Sequence, residues 1–457
     1  MSRDPALASI RSTVPGIEWP PLSVGPAGVL AALIQQHDAS QWLPADEIAA
    51  QQRAQLRVLV AHFERHSAPF RERLAAARLS AADVATTDGF AALPVLSRTE
   101  LQARGESIFV SDLPPGHAPV ARNATSGSTG EPVVVARTAI NQLDWLALTM
   151  REHLWHGADF ETRLCAIRAN IDAVAEREDW GPPASLLFGT GRSLGIPITV
   201  DVARQLELIE RFAPSNLLVY PTILDALTRL VAERGIRIPS LSRIRTVGET
   251  LRPSVREAAA EAFSAHVVDA YSSQEVGYIA IECPDGEGYH AMAETLIVEV
   301  LDARGGPCAP GETGRITVTD LHNFATPIVR YDIGDYAEVG SPCPCGRGLP
   351  TLAKVLGRER NLIAMPDGTR HWPLVGYAGF RAIAPVKQYQ FVQVAPTRID
   401  VTLAVQRALT SVEEAKLIGH IQQTLGYPFE LHLSYVSGPL PRGPAGKFEE
   451  FVCRVGR

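Results

Sequence analysis

Apolar positions recur at helical spacing early in the chain. Leu56, Leu59, Val60 and Phe63 fall on one face of the run 48–77. Leu43-Pro44-Ala45-Asp46-Glu47 precedes that run and reads as a helix start, because carboxylates in a first turn face the positive end of the helix dipole. A second helix is expected over 97–104, after Pro94. From residue 133 the pattern changes. Short apolar segments bounded by Gly and Pro (133–136, 163–168, 185–188, 196–200, 216–219, 244–247 and 267–270) read as strands. They alternate with helical patterns over 141–153, 201–212, 223–234 and 254–263. Such alternation predicts an α/β fold: a large, multi-layer domain with a parallel-rich sheet, whose ligands bind beyond the carboxyl ends of the strands. A smaller α+β pattern follows, with strands over 388–394 and 399–404 and a helix over 412–424. The expected division is a large domain over 1–356, helical through about residue 120, and a small one over 357–457.

Composition narrows the function. A chain of 457 residues, 46% hydrophobic, can bury a large core and divide into at least two domains. A net charge of −7 argues against nucleic acid or an anionic membrane as the partner. No apolar run approaches a bilayer span, and the opening MSRDPALASIRSTVPG lacks a basic-then-apolar signal pattern. Six unevenly placed cysteines favour a reducing compartment, so a cytoplasmic protein is expected.

Four stretches carry candidate chemistry. In Asn123–Val134, NATSGSTGEPVV, Thr125, Ser126, Ser128 and Thr129 alternate with Gly127 and Gly130. Glycines let successive N–H groups converge on an anion, and hydroxyls add donors for phosphate oxygens. The Gly-Lys-Ser/Thr ending of a Walker A loop is absent, and an ordinary polar turn is the alternative. In 243–277, Gly248-Glu249-Thr250 ends one strand and Tyr271-Ser272-Ser273-Gln274-Glu275 ends the next. An aromatic and a carboxylate at a strand's end suit a purine face and a phosphate-bridging Mg²⁺; a core tyrosine beside a solvated glutamate is the alternative. In 326–335, Asp335 after Gly334 can accept two hydrogen bonds from vicinal hydroxyls. Near the end, Lys447 lies on a Gly/Pro-rich loop able to carry its charge into a site made elsewhere.

Cys283, His290, Cys343 and Cys345 form a Cys₃His set. Structural zinc accepts such a set, and free buried thiols are the alternative. His62 and His66 lie four apart but have no carboxylate or Cys near them in sequence, so they read as surface or packing residues.

Taken in order, TSGSTGEPV (125–133), VGET (247–250), YSSQE (271–275), PIVRYDIGD (327–335), GRERN (357–361) and PAGK (444–447) resemble the adenylate-forming superfamily of acyl-CoA synthetases, adenylation domains and luciferases. The branch they most resemble is that of the phenylacetate–CoA ligases. The resemblance covers nearly the whole chain. It implies ATP-dependent activation of a carboxylic acid to an acyl-adenylate. Transfer to a thiol of CoA or of a carrier-protein phosphopantetheine follows, as a small mobile C-terminal domain rotates about Arg360-Asn361.

Residue by residue, Thr125, Ser126, Gly127, Ser128, Thr129 and Gly130 would hold the β- and γ-phosphates. Gly248, Glu249 and Thr250 would line the adenine pocket, and Tyr271 and Ser272 would face the base. Asp335 and Arg358 would bind ribose, Glu275 would ligate Mg²⁺, and Lys447 would bridge the carboxylate and the α-phosphate. The four Cys and His ligands match a zinc knot seen in some relatives. Phe188, Gly189, Tyr220, Pro221 and Ser273 would shape an acid pocket. Their residue types suit a benzoate or arylacetate, with or without a ring hydroxyl. Gln274, Asp332 and Asn361 depart from the family pattern, as does the segment 364–373, which would border the thiol's path. Transfer to an amine, and a non-catalytic nucleotide-binding relative, are therefore kept as alternatives. Family likeness also points to a homodimer.

Overall fold

The computed structural model describes residues 10–17, 19–124, 132–358, 362–371, 380, 383–438, 440 and 450–455. Its chain forms two compact units, Met1–Leu251 with Ala258–Val355, and Arg252–Glu257 with Leu356–Arg457.

The first unit is built on a 12-stranded sheet. Its parallel half is Ser193–Pro197, Leu164–Arg168, Asn216–Val219, Arg243–Val247 and His266–Ser273, in that spatial order. These strands are largely buried along their length, as a sheet covered on both faces requires. Helices Val202–Phe212, Pro221–Arg234 and Pro253–Phe263 connect them. Beyond His266–Ser273 the sheet turns antiparallel through Gly277–Glu282 and Tyr289–Ala291. It continues through Thr351–Arg358, Tyr331–Val339, Thr313–Asp320 and Leu296–Leu301.

Local chemistry sets the helix boundaries. Ser97 and Glu100 form a capping box that starts Arg98–Arg104, and Thr138 with Asn141 starts Ala139–Trp155 in the same way. Asp201 caps Val202–Phe212 by accepting from the Ala203 N–H at 2.9 Å. Gly235, at φ +64°, ends Pro221–Arg234 in the left-handed conformation that glycine adopts without penalty.

Three expectations are corrected. The helical run 48–77 is two helices, Ala45–His66 and Ala68–Ala77. Pro69 brings no N–H to continue the first, and the Ser67 hydroxyl accepts from the Phe70 N–H to start the second. The segment 185–188 is not a strand but the one-turn helix Ala184–Leu187. Pro183 stands at the N-cap, and the Phe188 N–H returns to the Ala184 carbonyl at 2.9 Å. The strand expected at 196–200 lies at Ser193–Pro197, because Val200 N–H closes a turn onto the Pro197 carbonyl.

The second unit carries a four-stranded sheet, ordered Glu430–Val436, Arg398–Val405, Val386–Ala395, Phe451–Cys453. Its core gathers Leu417, Ile421 and Leu425 of helix Ser411–Leu425 against Phe391, Ile399 and Val401. The segment around Pro366-Asp367-Gly368 is a tight hairpin between Ile363–Ala364 and Arg370–His371, with Gly368 at φ +86°. Among the described residues no helix is long and apolar enough to cross a membrane.

Candidate functional site

Strand His266–Ser273 delivers Tyr271 into a core cluster that also holds Val133 and Val135. Those two valines follow the hydroxyl-rich loop, so the base of that loop and Tyr271 share one core. Thr125, Ser126, Gly127, Ser128, Thr129 and Gly130 themselves lie outside the described residues, as does Lys447.

Asp335 reaches Tyr271 from Tyr331–Val339. Pairing with the neighbouring strand skips from Asp332 to Tyr336, leaving a bulge with Gly334 at φ +82°. A bulge re-aims the side chains it carries, and here the Tyr271 hydroxyl donates to Asp335 Oδ2 at 2.7 Å. Each residue is only 9% exposed, which makes this a strong, water-poor contact.

Glu275 is buried, and its Oε1 lies 3.2 Å from Arg98 Nη1. Arg98 opens the helix that the capping box starts. Sequence reasoning found that helix but not the partner, because 177 residues separate the two. Ser273 Oγ accepts from the Val276 N–H at 3.3 Å and so shapes the turn carrying Glu275. Ser272 stands beside it on the same strand, half-buried.

Gly248 (φ +78°), Glu249 and Thr250 follow Arg243–Val247. Glu249 Oε2 accepts from the Thr222 N–H at 3.0 Å, at the first turn of Pro221–Arg234. That bond places Glu249 next to Tyr220 and Pro221, across the ends of two adjacent parallel strands. Tyr220 is buried, accepts from the Ala169 N–H, and lies under the Arg168 guanidinium at 5.7 Å. Phe188 goes elsewhere. It stacks on Phe160 at 4.5 Å in a cluster with Met150 and Trp180, and Gly189 follows it on the surface. Arg358 ends Thr351–Arg358, within the second unit.

Behind these strands, Glu152 and Tyr278 surround the Arg245 guanidinium, with His153 Nε2 at 3.0 Å. Arg245 and Glu152 are both almost wholly buried and form an ion pair.

The Cys₃His set does converge. The ligand atoms of Cys283, His290, Cys343 and Cys345 lie within 4.8 Å of one another. Cys283 Sγ is 3.6 Å from Cys343 Sγ, and Cys345 Sγ is 3.3 Å from His290 Nε2. Tetrahedral zinc at bond lengths of 2.0–2.3 Å calls for ligand separations of about 3.5–3.8 Å, which this set reaches by side-chain shifts of at most about 1 Å. Burial pushes His290 down to about 4, leaving the neutral imidazole a metal needs. Gly286 packs closely here, since a Cβ would stand 3.2 Å from Cys343 Sγ. Arg347, not singled out by the sequence, donates its backbone N–H to Cys345 Sγ and lies between Trp42 and Trp155 at 4.7 and 4.6 Å. The histidine pair on the first long helix has a carboxylate after all: Asp112 Oδ2 is 3.0 Å from His66 Nδ1, while His62 meets the Phe324 carbonyl.

In open α/β sheets ligands bind beyond the carboxyl ends of the parallel strands, the end at which Glu249 and Tyr271 sit. The chain belongs to the AMP-binding enzyme family, whose model matches residues 31–325. Among its relatives, the phenylacetate-coenzyme A ligase of Thermus thermophilus is 24% identical over 366 residues, covering 77% of this chain and 79% of that one. The phenylacetate-coenzyme A ligase of Aromatoleum evansii is 25% identical, covering 70% and 72%. The fold is that of the adenylate-forming superfamily. A 2-hydroxyisobutyryl-CoA ligase bound to 2-HIB-AMP superposes with TM-score 0.72 at 18% identity, covering 91% of each chain. An anthranilate CoA ligase bound to anthranoyl-AMP gives 0.54 at 16% identity, covering 72% of this chain and 65% of that one.

Proposed function

We propose that this enzyme joins an aromatic carboxylic acid to AMP and then passes the acyl group to a thiol of CoA or of a carrier-protein phosphopantetheine. The observation that carries this reading is the buried Tyr271–Asp335 hydrogen bond, beside the base of the hydroxyl-rich loop, in a chain of the AMP-binding family.

In the first half-reaction a substrate carboxylate oxygen attacks the α-phosphorus of ATP. The bond to the β-phosphate's bridging oxygen breaks, and pyrophosphate leaves with its electron pair. The ring of Tyr271 faces adenine, with Gly248, Glu249 and Thr250 along its edge. Asp335 accepts from the ribose hydroxyls, a geometry the bulge pre-sets, and Arg358 assists it. Thr125–Gly130 cradles the departing phosphates. Lys447 offsets the charge that crowds between carboxylate and α-phosphate as the new bond forms.

Glu275 is the residue that would hold Mg²⁺, an acceptor-only carboxylate already beside one cation, Arg98. The metal would neutralise phosphate charge when bound. In the second half-reaction a thiolate attacks the acyl carbon and AMP leaves. Rotation of the smaller unit, withdrawing Lys447 and opening the thiol's path, would separate the two steps. Cys283, His290, Cys343 and Cys345 would hold a structural zinc, since four protein ligands leave no open position for catalysis. The aryl preference is supported by the phenylacetate ligases among the relatives and by the buried Tyr220 ring beside Glu249 at the strand ends.

The test is release of AMP and pyrophosphate from ATP across a panel of aryl, fatty and amino acids, with and without CoA. Turnover confined to long-chain fatty acids would overturn the substrate class. Thioester formed without AMP would overturn the mechanism.

A further inference from the structure

Arg168 ends strand Leu164–Arg168 at the carboxyl end of the parallel sheet, the end at which such sheets take their ligands. It is half-buried, and among the described residues none forms an ion pair or hydrogen bond with its guanidinium. The arginines of the next strand but one are matched: Arg245 by Glu152, and Arg243 by Asn216 and the His156 carbonyl. Arg168 instead lies over the face of Tyr220, with 5.7 Å between guanidinium carbon and ring centroid. That ring is fixed, because it is buried and its hydroxyl accepts from the Ala169 N–H at 3.3 Å. A ring face attracts the charge but leaves the N–H donors of the guanidinium fork unused.

Strand register places Arg168 relative to the nucleotide. Ala166 aligns with Leu218, Leu218 with Arg245, and Arg245 with Val268. Two residues further along each strand, Arg168, Tyr220, Val247 and Ala270 make a row across one face. Val247 directly precedes Gly248-Glu249-Thr250, and Ala270 directly precedes Tyr271, so that end of the row is the nucleotide's end. Leu148 and Trp145 of helix Ala139–Trp155 pack against it there. Arg168 stands three strands from Ala270, about 14 Å at the spacing of a sheet. It is therefore too distant to hold the carboxylate that reacts at the α-phosphate. Between the two ends the row offers the Tyr220 ring and Val247, which suit the body of an aryl acid.

We infer that the acid carries a second carboxylate: Arg168 holds the distal carboxylate of an aryl dicarboxylic acid, and the other carboxylate is adenylated. This deepens the adenylation reading above and rests on it. A guanidinium only donates, so a neutral hydroxyl or carbonyl could use its N–H groups but would leave its charge unmatched. A carboxylate meets both needs through two parallel N–H···O bonds. With one carboxylate held at the far end, only the other reaches ATP, and each acid gives a single adenylate.

The experiment measures kcat/KM in acid-dependent pyrophosphate–ATP exchange with CoA omitted. It compares benzene-1,3- and 1,4-dicarboxylate with benzoate, and 3- and 4-(carboxymethyl)benzoate with phenylacetate. The wild type is expected to favour one dicarboxylate over its monocarboxylate by about 10- to 100-fold, the factor a charge-assisted hydrogen bond confers. In Arg168→Gln that ratio should fall at least about tenfold, mainly through KM of the dicarboxylate, and Arg168→Lys should restore part of it. Arg168→Glu should reverse the preference, towards 4-(aminomethyl)benzoate over benzene-1,4-dicarboxylate. Each ratio is internal to one protein, so general damage to the fold does not move it. If no variant folds, the wild-type ratio alone decides. Equal use of mono- and dicarboxylates by the wild type overturns the inference while leaving adenylation standing. So does a ratio unchanged in Arg168→Gln, and a raised KM for CoA in that variant would then give Arg168 to the thiol substrate. Absence of exchange with every acid overturns both readings.

Discussion

Replacing Tyr271 with Phe isolates the hydroxyl that joins two strands of the candidate site. The ring stays, so any stacking on adenine stays; only the 2.7 Å bond to Asp335 Oδ2 is lost. A hydrogen bond to a charged group is worth about 1.5–3 kcal/mol. Asp335 sits on a bulge beside Gly334, so its carboxylate depends on side-chain contacts for its aim. The cost should divide between folding and nucleotide binding. Urea unfolding should show a loss of about 1 kcal/mol. Acid-dependent pyrophosphate–ATP exchange should show KM for ATP raised about tenfold, since 1.4 kcal/mol is a factor of ten. The exchange rate at saturation should change much less. Unfolding within about 0.5 kcal/mol of wild type, with KM for ATP within about twofold, would refute the positioning role of this bond.

Three further outcomes are expected. Glu152→Gln leaves the Arg245 guanidinium charged and unmatched in the core, so stability should fall by about 3–5 kcal/mol in urea unfolding; a loss below about 1 kcal/mol would contradict the buried pair. His37, 4% exposed, is pushed down to about 4 by burial and then by the Arg151 charge. Its folded value lies below the unfolded 6.5, so its contribution is complete above pH 6.5 and is lost as pH falls towards 4, by up to about 3 kcal/mol. Denaturant midpoints measured across that window should drop, and His37→Gln should flatten the drop. Elemental analysis should find one zinc per chain, and its removal by a chelator, or Cys345→Ala, should lower Tm by several degrees. A metal-free preparation with unchanged Tm would remove the zinc assignment.

What could be read from the sequence was mostly local. Ser97 with Glu100 announces a helix because the capping box lies within four residues, and the apolar runs at 216–219 and 244–247 read as strands buried on both faces. Two strands and the helix of the second unit were equally plain, whereas Glu430–Val436 and Phe451–Cys453 were not anticipated. Proline-bounded apolar runs were not: a four-residue apolar segment is compatible with a strand or one helical turn, and at 184–187 the turn won. Tyr271 and Glu275 were singled out by residue type at a strand's end, and Asp335 by its place after Gly334. That Tyr271 and Asp335 touch, and that Arg98 meets Glu275, depends on pairings across 64 and 177 residues. Periodicity carries no record of such distances.

The account turns on whether ATP is cleaved between its α- and β-phosphates in response to an aryl acid. Exchange of labelled pyrophosphate into ATP, with the acid present and CoA omitted, measures that directly. Exchange that requires the acid, needs no thiol, and collapses in Lys447→Ala and Asp335→Ala is the predicted result. No exchange with any acid, or exchange untouched by both substitutions, would contradict it.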